Sequence, residues 1–377
     1  MKFVLFKISP LLLVNSSAFS VMQESSSKPI LTVGILADIQ YAPIPDGHSY
    51  SGSPRYYRHS LVAAKHAANH FQRDNVDLVI NLGDIIDGKC QEIDKHCQGE
   101  EGHVPFEGKD EDLDPAHGAV DDVIEALSEY KGKILHTYGN HELYNLDRED
   151  MGMKLGIPFV REDSGDLVGY YAHDSPCKTI KFVVLDSYDI AMMKRCPDTS
   201  VKYKKACDIL QKNNPNYPED ENSPQGMEGM QKRFVGFNGG VDEPQLKWLR
   251  ETLEGAKEEN QKVIILSHQP ILPETSSPIC LMWNYDEVLE ILREYKNTVA
   301  ASFAGHAHRC GYVRDEESGI HFRVFAAALE SKDPVKTYGF VDIHDDRLEI
   351  RGEGDLTSAV YDLDHMASCK STEIHNA

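Results

Sequence analysis

The sequence has no uninterrupted apolar run of roughly 20 residues, the length needed to cross a bilayer, and it is poor in positive charge. Its 377 residues include 39 Lys and Arg against 61 Asp and Glu, so the formal net charge is −22. The absence of a long apolar run predicts a chain without a membrane span. The shortage of positive charge argues against nonspecific nucleic-acid binding, which depends on cationic surfaces. An anionic substrate would need a local source of positive charge, and a metal centre can supply it.

Zinc-type cysteine pairs are also missing, because none of the eight cysteines stands in a CxxC spacing. Cys90 and Cys97 could form a loop disulfide if the chain is secreted. Residues 1–27 form an N-terminal extension with two interpretations. They resemble a signal peptide ending near Ala18–Ser20, or they are a gene-model artefact if Met22 is the true start. We expect a cytoplasmic protein, or a secreted one if the signal peptide is real.

Short apolar segments typical of buried strands alternate with segments of helical periodicity, which predicts an α/β fold. The predicted strands are Thr32–Asp38, Leu78–Leu82, Ile134–Tyr138, Phe182–Asp186, Val263–Ser267, Val299–Ala304, Phe322–Ala326 and Gly339–Ile343. The predicted helices are Tyr56–Arg73, Ala119–Tyr130, one that starts at Asp242–Pro244, and Asn284–Asn297. Composition predicts loop insertions at Gly88–Pro115 and Asp189–Gly240. We predict a single domain at 28–358, followed by a C-terminal tail at 359–377.

Five of the apolar segments are followed by side chains that can hold a metal. These are Asp38-Ile39-Gln40, Gly83-Asp84-Ile85-Ile86-Asp87, Gly139-Asn140-His141-Glu142, Ser267-His268-Gln269-Pro270 and Gly305-His306-Ala307-His308. In an α/β sheet, residues beyond the carboxyl ends of the strands converge on one rim, which is where ligands bind. Side chains far apart in the sequence are therefore expected to meet there.

These residue types suit a centre of two divalent metals. Two metals roughly 3.5–4 Å apart need a ligand that bridges them, and the carboxylate of Asp84 is the natural candidate. His306 and His308 follow a glycine and are separated by one residue, so they can point at different metals. Asn140 offers a neutral amide oxygen, which holds a metal without adding charge.

The five motifs resemble those of the calcineurin-like metallophosphoesterase family, which has Asp-x-His, Gly-Asp-x-x-Asp, Gly-Asn-His, His and Gly-His-x-His blocks in this order. Four blocks match, and the first departs because Gln40 stands in place of a histidine. The resemblance extends over roughly Thr32 to Asp355. It implies a four-layer α-β-β-α sandwich with long loop insertions.

A narrower resemblance connects the chain with the manganese-dependent ADP-ribose/CDP-alcohol diphosphatases. It rests on the strings DIQ (38–40), RYYRHSL (55–61), LGDIIDG (82–88), NSPQG (222–226), FNGG (237–240) and WNY (283–285). It implies two divalent metals, with Mn²⁺ favoured over Mg²⁺ or Zn²⁺. It also implies hydrolysis of the diphosphate bond in ADP-ribose, CDP-choline, CDP-ethanolamine or CDP-glycerol. We expect these small molecules as partners, and a monomer.

The resemblance also assigns roles block by block. The first metal would take Asp38, Gln40, Asp84 and His308, and the second would take Asp84, Asn140, His268 and His306. His141 would lie over the phosphate as general acid or electrostatic stabiliser, with Glu142 as a candidate to orient it. Three roles stay open for Gln40: a ligand through its amide oxygen, a contact through water, or a packed polar strand end.

Six residues are candidates for the substrate pocket, each with a structural alternative. Arg55 and Tyr56 can contact a phosphate and a base, or they simply begin a helix. Phe237 and Asn238 precede two glycines that allow close approach of a ligand. Cys280 and Trp283 lie just beyond the His268 loop, and Trp283 is either a base-stacking or a core residue.

The leading hypothesis is a two-metal diphosphatase that acts on nucleotide diphosphate conjugates. The alternative is another metallophosphoesterase, acting on phosphomonoesters or cyclic nucleotides. A third hypothesis is a non-catalytic phosphatase-like binding module, which the complete set of ligand types disfavours.

Overall fold

The computed structural model describes residues 28–97 and 115–363. The predicted N-terminal extension, much of the Gly88–Pro115 insertion and the tail beyond 363 lie outside the described residues. The strands are β1 (Leu31–Leu36), β2 (Gly47–His48), β3 (Pro54–Arg55), β4 (Leu78–Asn81), β5 (Ile134–His136), β6 (Val160–Arg161), β7 (Leu167–Val168), β8 (Tyr171–Asp174), β9 (Ile180–Val184), β10 (Lys262–Ser267), β11 (Val299–Ala304), β12 (Gly311–Arg314), β13 (His321–Val324), β14 (Tyr338–Ile343), β15 (Arg347–Glu353) and β16 (Ala359–Asp362).

The helices lie between these strands. They are α1 (Tyr57–Arg73), α2 (Ile93–His96), α3 (Pro115–Leu127), α4 (Asn140–Asn145), α5 (Arg148–Leu155), α6 (Val201–Asn213), α7 (Glu243–Glu258) and α8 (Tyr285–Glu294). Short 3₁₀ segments lie at Gly88–Glu92, Gly229–Arg233, Pro273–Thr275, Pro278–Cys280 and Ala328–Glu330. In the part of the chain that the structure describes, no helix is both long and apolar enough to cross a membrane.

The main strands form two sheets that pack face to face. One has the order β16-β15-β14-β1-β4-β5 and the other β12-β13-β11-β10-β9-β8. The run β1-β4-β5 is parallel, and so is the run β13-β11-β10-β9. Parallel strands place their carboxyl ends on one side of the sheet, and this side becomes the site described below.

Among the described residues, three large apolar cores pack the sheets against each other and against their helices. Alternate residues of β10 show the principle: Ile264 and Leu266 point into the core between the sheets, whereas Val263 and Ile265 pack under α7 and α8. Helices α1 and α3 cover the other sheet. At Gly34 a Cβ would lie 2.7 Å from the ring of Phe71, so glycine is what lets α1 pack closely on β1. The predicted α-β-β-α sandwich is confirmed.

Three expectations need correction. Helix α6 lies inside the Asp189–Gly240 stretch that was predicted to be loop, because Ser200 caps its first turn and its apolar face packs against Trp283. The predicted domain boundary at 358 falls short of β16, which pairs with β15 and buries Tyr361 between the sheets. The thiols of Cys90 and Cys97 are buried and donate to the backbone oxygens of Tyr41 and Pro43, and the two residues do not form the expected disulfide.

Candidate metal centre

The loops that follow the parallel strands of both sheets meet at one rim. Asp38 and Gln40 follow β1, Asp84 follows β4, and the loop histidines follow β10 and β11. Backbone hydrogen bonds tie these loops together, with Gln40 N–H donating to Asp84 O over 2.7 Å and Gly305 N–H donating to His268 O over 3.0 Å. The convergence predicted from the sequence is therefore present.

Two groups of metal-capable side chains share one carboxylate. Asp38, Asp84 and His308 form one group, and Asp84, His268 and His306 form the other, with the ligand atoms of each group within 4.8 Å of one another. Nε2 of His268 lies 3.2 Å from Oδ2 of Asp84. Asp84 thus stands where a bridging ligand has to stand between two metals.

Hydrogen bonds orient the histidine rings toward these groups. His268 donates from Nδ1 to Leu82 O over 2.7 Å, and Nδ1 of His308 lies 3.0 Å from Oε1 of Glu330. Because an oxygen acceptor takes the ring proton, the opposite nitrogen keeps its lone pair for a metal. Carboxylate oxygens and imidazole nitrogens are the donors that divalent transition metals take in proteins, so the residues present fit such ions.

The two buried carboxylates have very different surroundings. Burial raises the pKa of Asp38 to about 6, and the nearby His308 opposes this rise. Burial would also raise the pKa of Asp84, but His268 and His141 reverse the effect and hold it well below its usual range. Keeping both carboxylates ionised side by side requires positive charge, which divalent ions would supply.

The backbone at the centre is held in an uncommon conformation. Left-handed φ values between 42° and 65° occur at Asp38, Gln40, Asp84, His306 and His308. Such values cost of order 1–3 kcal/mol each for residues other than glycine and cluster at functional sites. The glycines of the motifs serve close packing, since a Cβ on Gly139 would lie 2.0 Å from Oδ1 of Asp84.

His141 faces the centre through one defined nitrogen. Its Nδ1 accepts the N–H of Gly88 over 2.8 Å, so the ring proton resides on Nε2, which lies 4.0 Å from Oδ2 of Asp84. Burial lowers the pKa of His141, against the opposing effect of Asp84 and Asp87. The ring therefore presents an N–H donor.

The expectation that Glu142 orients His141 was wrong. The Glu142 carboxylate instead accepts the backbone N–H groups of Asp84, Ile85 and Gly139, over 3.1, 2.6 and 2.9 Å. These three bonds hold the Asp84 loop against the start of α4, so Glu142 supports the shared carboxylate rather than the histidine. On the same helix, Asn140 accepts the hydroxyl of Tyr188 at Oδ1 over 3.0 Å.

A comparison with known families decides what kind of chain this is. The model of the calcineurin-like phosphoesterase family matches residues 31–310. The chain belongs to the calcineurin-like phosphoesterase family.

Known members and a solved structure extend the similarity to nearly the whole chain. A protein of Oryza sativa named manganese-dependent ADP-ribose/CDP-alcohol diphosphatase is 39% identical over 333 residues, which are 88% of this chain and 94% of that protein. One of Arabidopsis thaliana with the same name is 36% identical, with 90% and 100% covered. The crystal structure of a dimetal phosphatase from Danio rerio superimposes with a TM-score of 0.78 at 30% identity, with 89% and 100% covered.

The centre of this phosphoesterase borders a cavity of about 1020 Å³. The metal-capable residues Gln40, Asp84, Asn140, His306 and His308 line it, together with His141. Three of the predicted pocket residues also line it, namely Arg55, Phe237 and Cys280. These three substrate-pocket candidates therefore lie at the same cavity as the metal centre.

The other three pocket candidates do not line the cavity. Trp283 is only 2% exposed, donates from its indole to Val235 O, and packs against α6, so the core alternative is correct. Tyr56 precedes α1 and donates its backbone N–H to Leu329 O. Asn238 is fully buried, and its side chain contacts His306 rather than the cavity.

Tyr144, Tyr50 and Glu330 are among the cavity residues that sequence reasoning missed. Tyr144 lies one turn after His141 on α4, so helical spacing would have indicated it. Tyr50 is fully exposed on the short β2–β3 hairpin at the cavity edge. Glu330 reaches the site from a 3₁₀ segment far along the chain, and no sequence signal marks it.

Proposed function

We propose that this phosphoesterase is a two-metal hydrolase that cleaves the diphosphate bond of ADP-ribose and CDP-alcohols, giving AMP or CMP and a phosphomonoester. The observation that carries the proposal is the pair of ligand groups sharing Asp84 beside a cavity of about 1020 Å³. Ligand cavities commonly span roughly 300–1,000 Å³, so this one has room for a whole nucleotide conjugate. The names of the Oryza and Arabidopsis relatives supply the substrate class.

Two divalent ions, Mn²⁺ by analogy with the relatives' names, would be held by the two groups. Asp38, Asp84 and His308 would hold one and Asp84, His268 and His306 the other. Asn140 would add an amide ligand, and so would Gln40 once its amide rotates to turn the oxygen toward the ion. When bound, the ions supply Lewis-acid activation of a water nucleophile and neutralise phosphate charge. Oxygen donors favour Mn²⁺ and Mg²⁺ over softer metals.

The chain's own residues would bind and orient the diphosphate. In a protein of net charge −22, Arg55 and Arg309 bring positive charge to the cavity wall. The N–H at Nε2 of His141 would donate to a phosphate oxygen and stabilise the charge that develops as the bond breaks. Phe237 and the exposed Tyr50 offer aromatic faces to a nucleobase.

The test is a substrate panel with purified protein in Mn²⁺, Mg²⁺ and Zn²⁺. Release of AMP from ADP-ribose or of CMP from CDP-choline, abolished by a chelator and by Asp84→Asn, is expected. His173→Gln, on β8 outside the cavity, is the matched control and keeps full activity. Preference for p-nitrophenyl phosphate or cyclic AMP would replace this proposal with another phosphoesterase activity. Metal binding without any hydrolysis would favour a binding module.

A cytoplasmic location and a monomeric state are part of the same proposal. Fractionation of cells that express the tagged full chain tests the location, and recovery from the medium would contradict it. Light scattering during gel filtration tests the monomer.

A further inference from the structure

Asn238 lies in the insertion between β9 and α7, and its side chain is fully buried. Its Nδ2 donates to Arg233 O over 2.9 Å and to Ile279 O over 2.7 Å. Carbonyl oxygens only accept hydrogen bonds, so the NH₂ group of the amide must face them. The amide oxygen is thereby fixed on the opposite side, where it lies 2.9 Å from Nε2 of His306.

This contact defines the protonation of the His306 ring. A fixed oxygen acceptor requires the proton to be on Nε2, which leaves the lone pair on Nδ1. Nδ1 is also the nitrogen that faces the other ligands, since it lies 3.1 Å from Nε2 of His268. The tautomer that Asn238 selects is therefore the one in which His306 can bind a metal together with Asp84 and His268.

Asn238 also connects the metal centre with the wall of the cavity. Ile279, whose carbonyl it contacts, lines the cavity, and so does Phe237, its neighbour in the chain. The same side chain thus joins His306 to two segments that a bound nucleotide would touch. The pocket role that the sequence predicted for Asn238 is replaced by an indirect one.

We propose that Asn238 is a positioning residue, which selects the Nε2–H tautomer of His306 and so sets the metal affinity of the group Asp84–His268–His306. A residue that only anchors the loop would affect metal affinity in proportion to stability. A positioning residue affects metal affinity only through the side-chain oxygen that accepts the hydrogen bond of His306. The inference does not depend on which diphosphate is the substrate.

Two near-isosteric variants separate these roles. Asn238→Asp keeps an oxygen toward His306 but loses both donations to the carbonyls, whereas Asn238→Leu loses the oxygen as well. Both are expected to lower the free energy of unfolding. Titration with Mn²⁺, followed through the electron paramagnetic resonance signal of the free ion, is expected to show that Asn238→Leu weakens one of two sites by roughly 10- to 100-fold. Asn238→Asp should keep or exceed the wild-type affinity.

The ring tautomer can be observed without any metal. In metal-free protein labelled with ¹⁵N-histidine, long-range ¹H–¹⁵N spectra distinguish a protonated Nε2 from a protonated Nδ1. His306 is expected as the Nε2–H form in the wild type and in Asn238→Asp, and as a mixture in Asn238→Leu. His306→Gln identifies the signal.

Asn214→Leu is the matched control. Asn214 is 3% exposed in the same insertion, and its amide bonds the backbone of Glu221 and Asn216, away from the ligands. It should lower stability and leave both metal affinities unchanged. Equal losses of affinity in the Asp and Leu variants of Asn238, or an unchanged tautomer in Asn238→Leu, would overturn the proposal.

Discussion

The guanidinium of Arg55 donates to the side-chain oxygen of Gln40 over 2.6 Å. The NH₂ group of Gln40 consequently faces the centre, 3.1 Å from Oδ2 of Asp84 and 2.8 Å from Nε2 of His308. An amide nitrogen cannot bind a cation, so coordination by Gln40 requires its amide to rotate by half a turn. Arg55 opposes that rotation because its donor would then meet an NH₂ group.

Replacing Arg55 should therefore tighten the first metal site. We expect Arg55→Met to raise Mn²⁺ affinity by about three- to tenfold, the equivalent of roughly 1 kcal/mol for a lost competing hydrogen bond. The same variant should weaken substrate binding and raise KM. Calorimetric titration with Mn²⁺ measures the first effect, and Arg309→Met, at the same cavity, is the control. Unchanged or weaker affinity in Arg55→Met would mean that Gln40 does not turn its oxygen to the metal.

Glu330 should influence the metal centre through His308. Its Oε1 lies 3.0 Å from Nδ1 of that ring, and losing such a contact typically lowers metal affinity roughly 10- to 100-fold. We expect this loss in Glu330→Ala, measured by equilibrium dialysis. Glu330→Gln retains an oxygen acceptor and should stay close to the wild type. A metal affinity of Glu330→Ala equal to that of the wild type would show that the contact with Glu330 does not orient His308.

Lys202 should be essential for stability. Its ammonium is 1% exposed and pairs with Asp189, Asp242 and Glu162. Removing one partner of a buried charge network leaves the others uncompensated, at a cost of about 3–5 kcal/mol. Urea unfolding of Lys202→Met should show this loss. Lys205→Met removes a lysine that also pairs with Asp242 but is 46% exposed, and it should cost about 0–1 kcal/mol.

His136 should make stability depend on pH. Burial lowers its pKa to about 3 from an ordinary 6.5, and its Nδ1 lies 3.2 Å from Nδ2 of Asn81. Below pH 6.5, His136 therefore binds a proton in the unfolded chain but stays neutral in the folded chain. The free energy of unfolding consequently falls as the pH drops from 6.5 toward 3. The slope is roughly 1.4 kcal/mol per pH unit, which gives about 2 kcal/mol between pH 7 and pH 5.

The measurement compares the wild type with His136→Asn in urea, both metal-free, at several pH values. Asn keeps an acceptor toward Asn81 and does not titrate in this range, so the difference between the two curves isolates His136. Parallel curves would show that folding does not lower the pKa of His136.

The buried strands and the ligand motifs were predictable because both depend on local sequence. Leu78–Asn81 is buried at every position, and a strand buried on both faces appears as a continuous apolar run. The edge strands β12 and β16 were missed because each has only four residues and every second residue is exposed, so neither forms a continuous apolar run. Helix α6 was missed because the Asn- and Pro-rich segment after it dominates the composition of the insertion.

The contacts that orient the ligands were not predictable from the sequence. Asn238 and His306 are 68 residues apart in the sequence, and Glu330 and His308 are 22 residues apart. Neither pair has a spacing that local rules recognise. The sequence therefore indicates which side chains can bind metals. The contacts that orient these side chains follow from tertiary packing.

The left-handed backbone at five of the metal-capable residues has a consequence for how ions would be captured. The loops already hold Asp38, Gln40, Asp84, His306 and His308 in conformations that isolated peptides of these residues rarely adopt. Folding of the two sheets, rather than ion binding, therefore supplies the free energy that bends these loops. An arriving ion would meet a preorganised centre and would not have to order it, so association should be limited by diffusion and dehydration rather than by rearrangement of the chain.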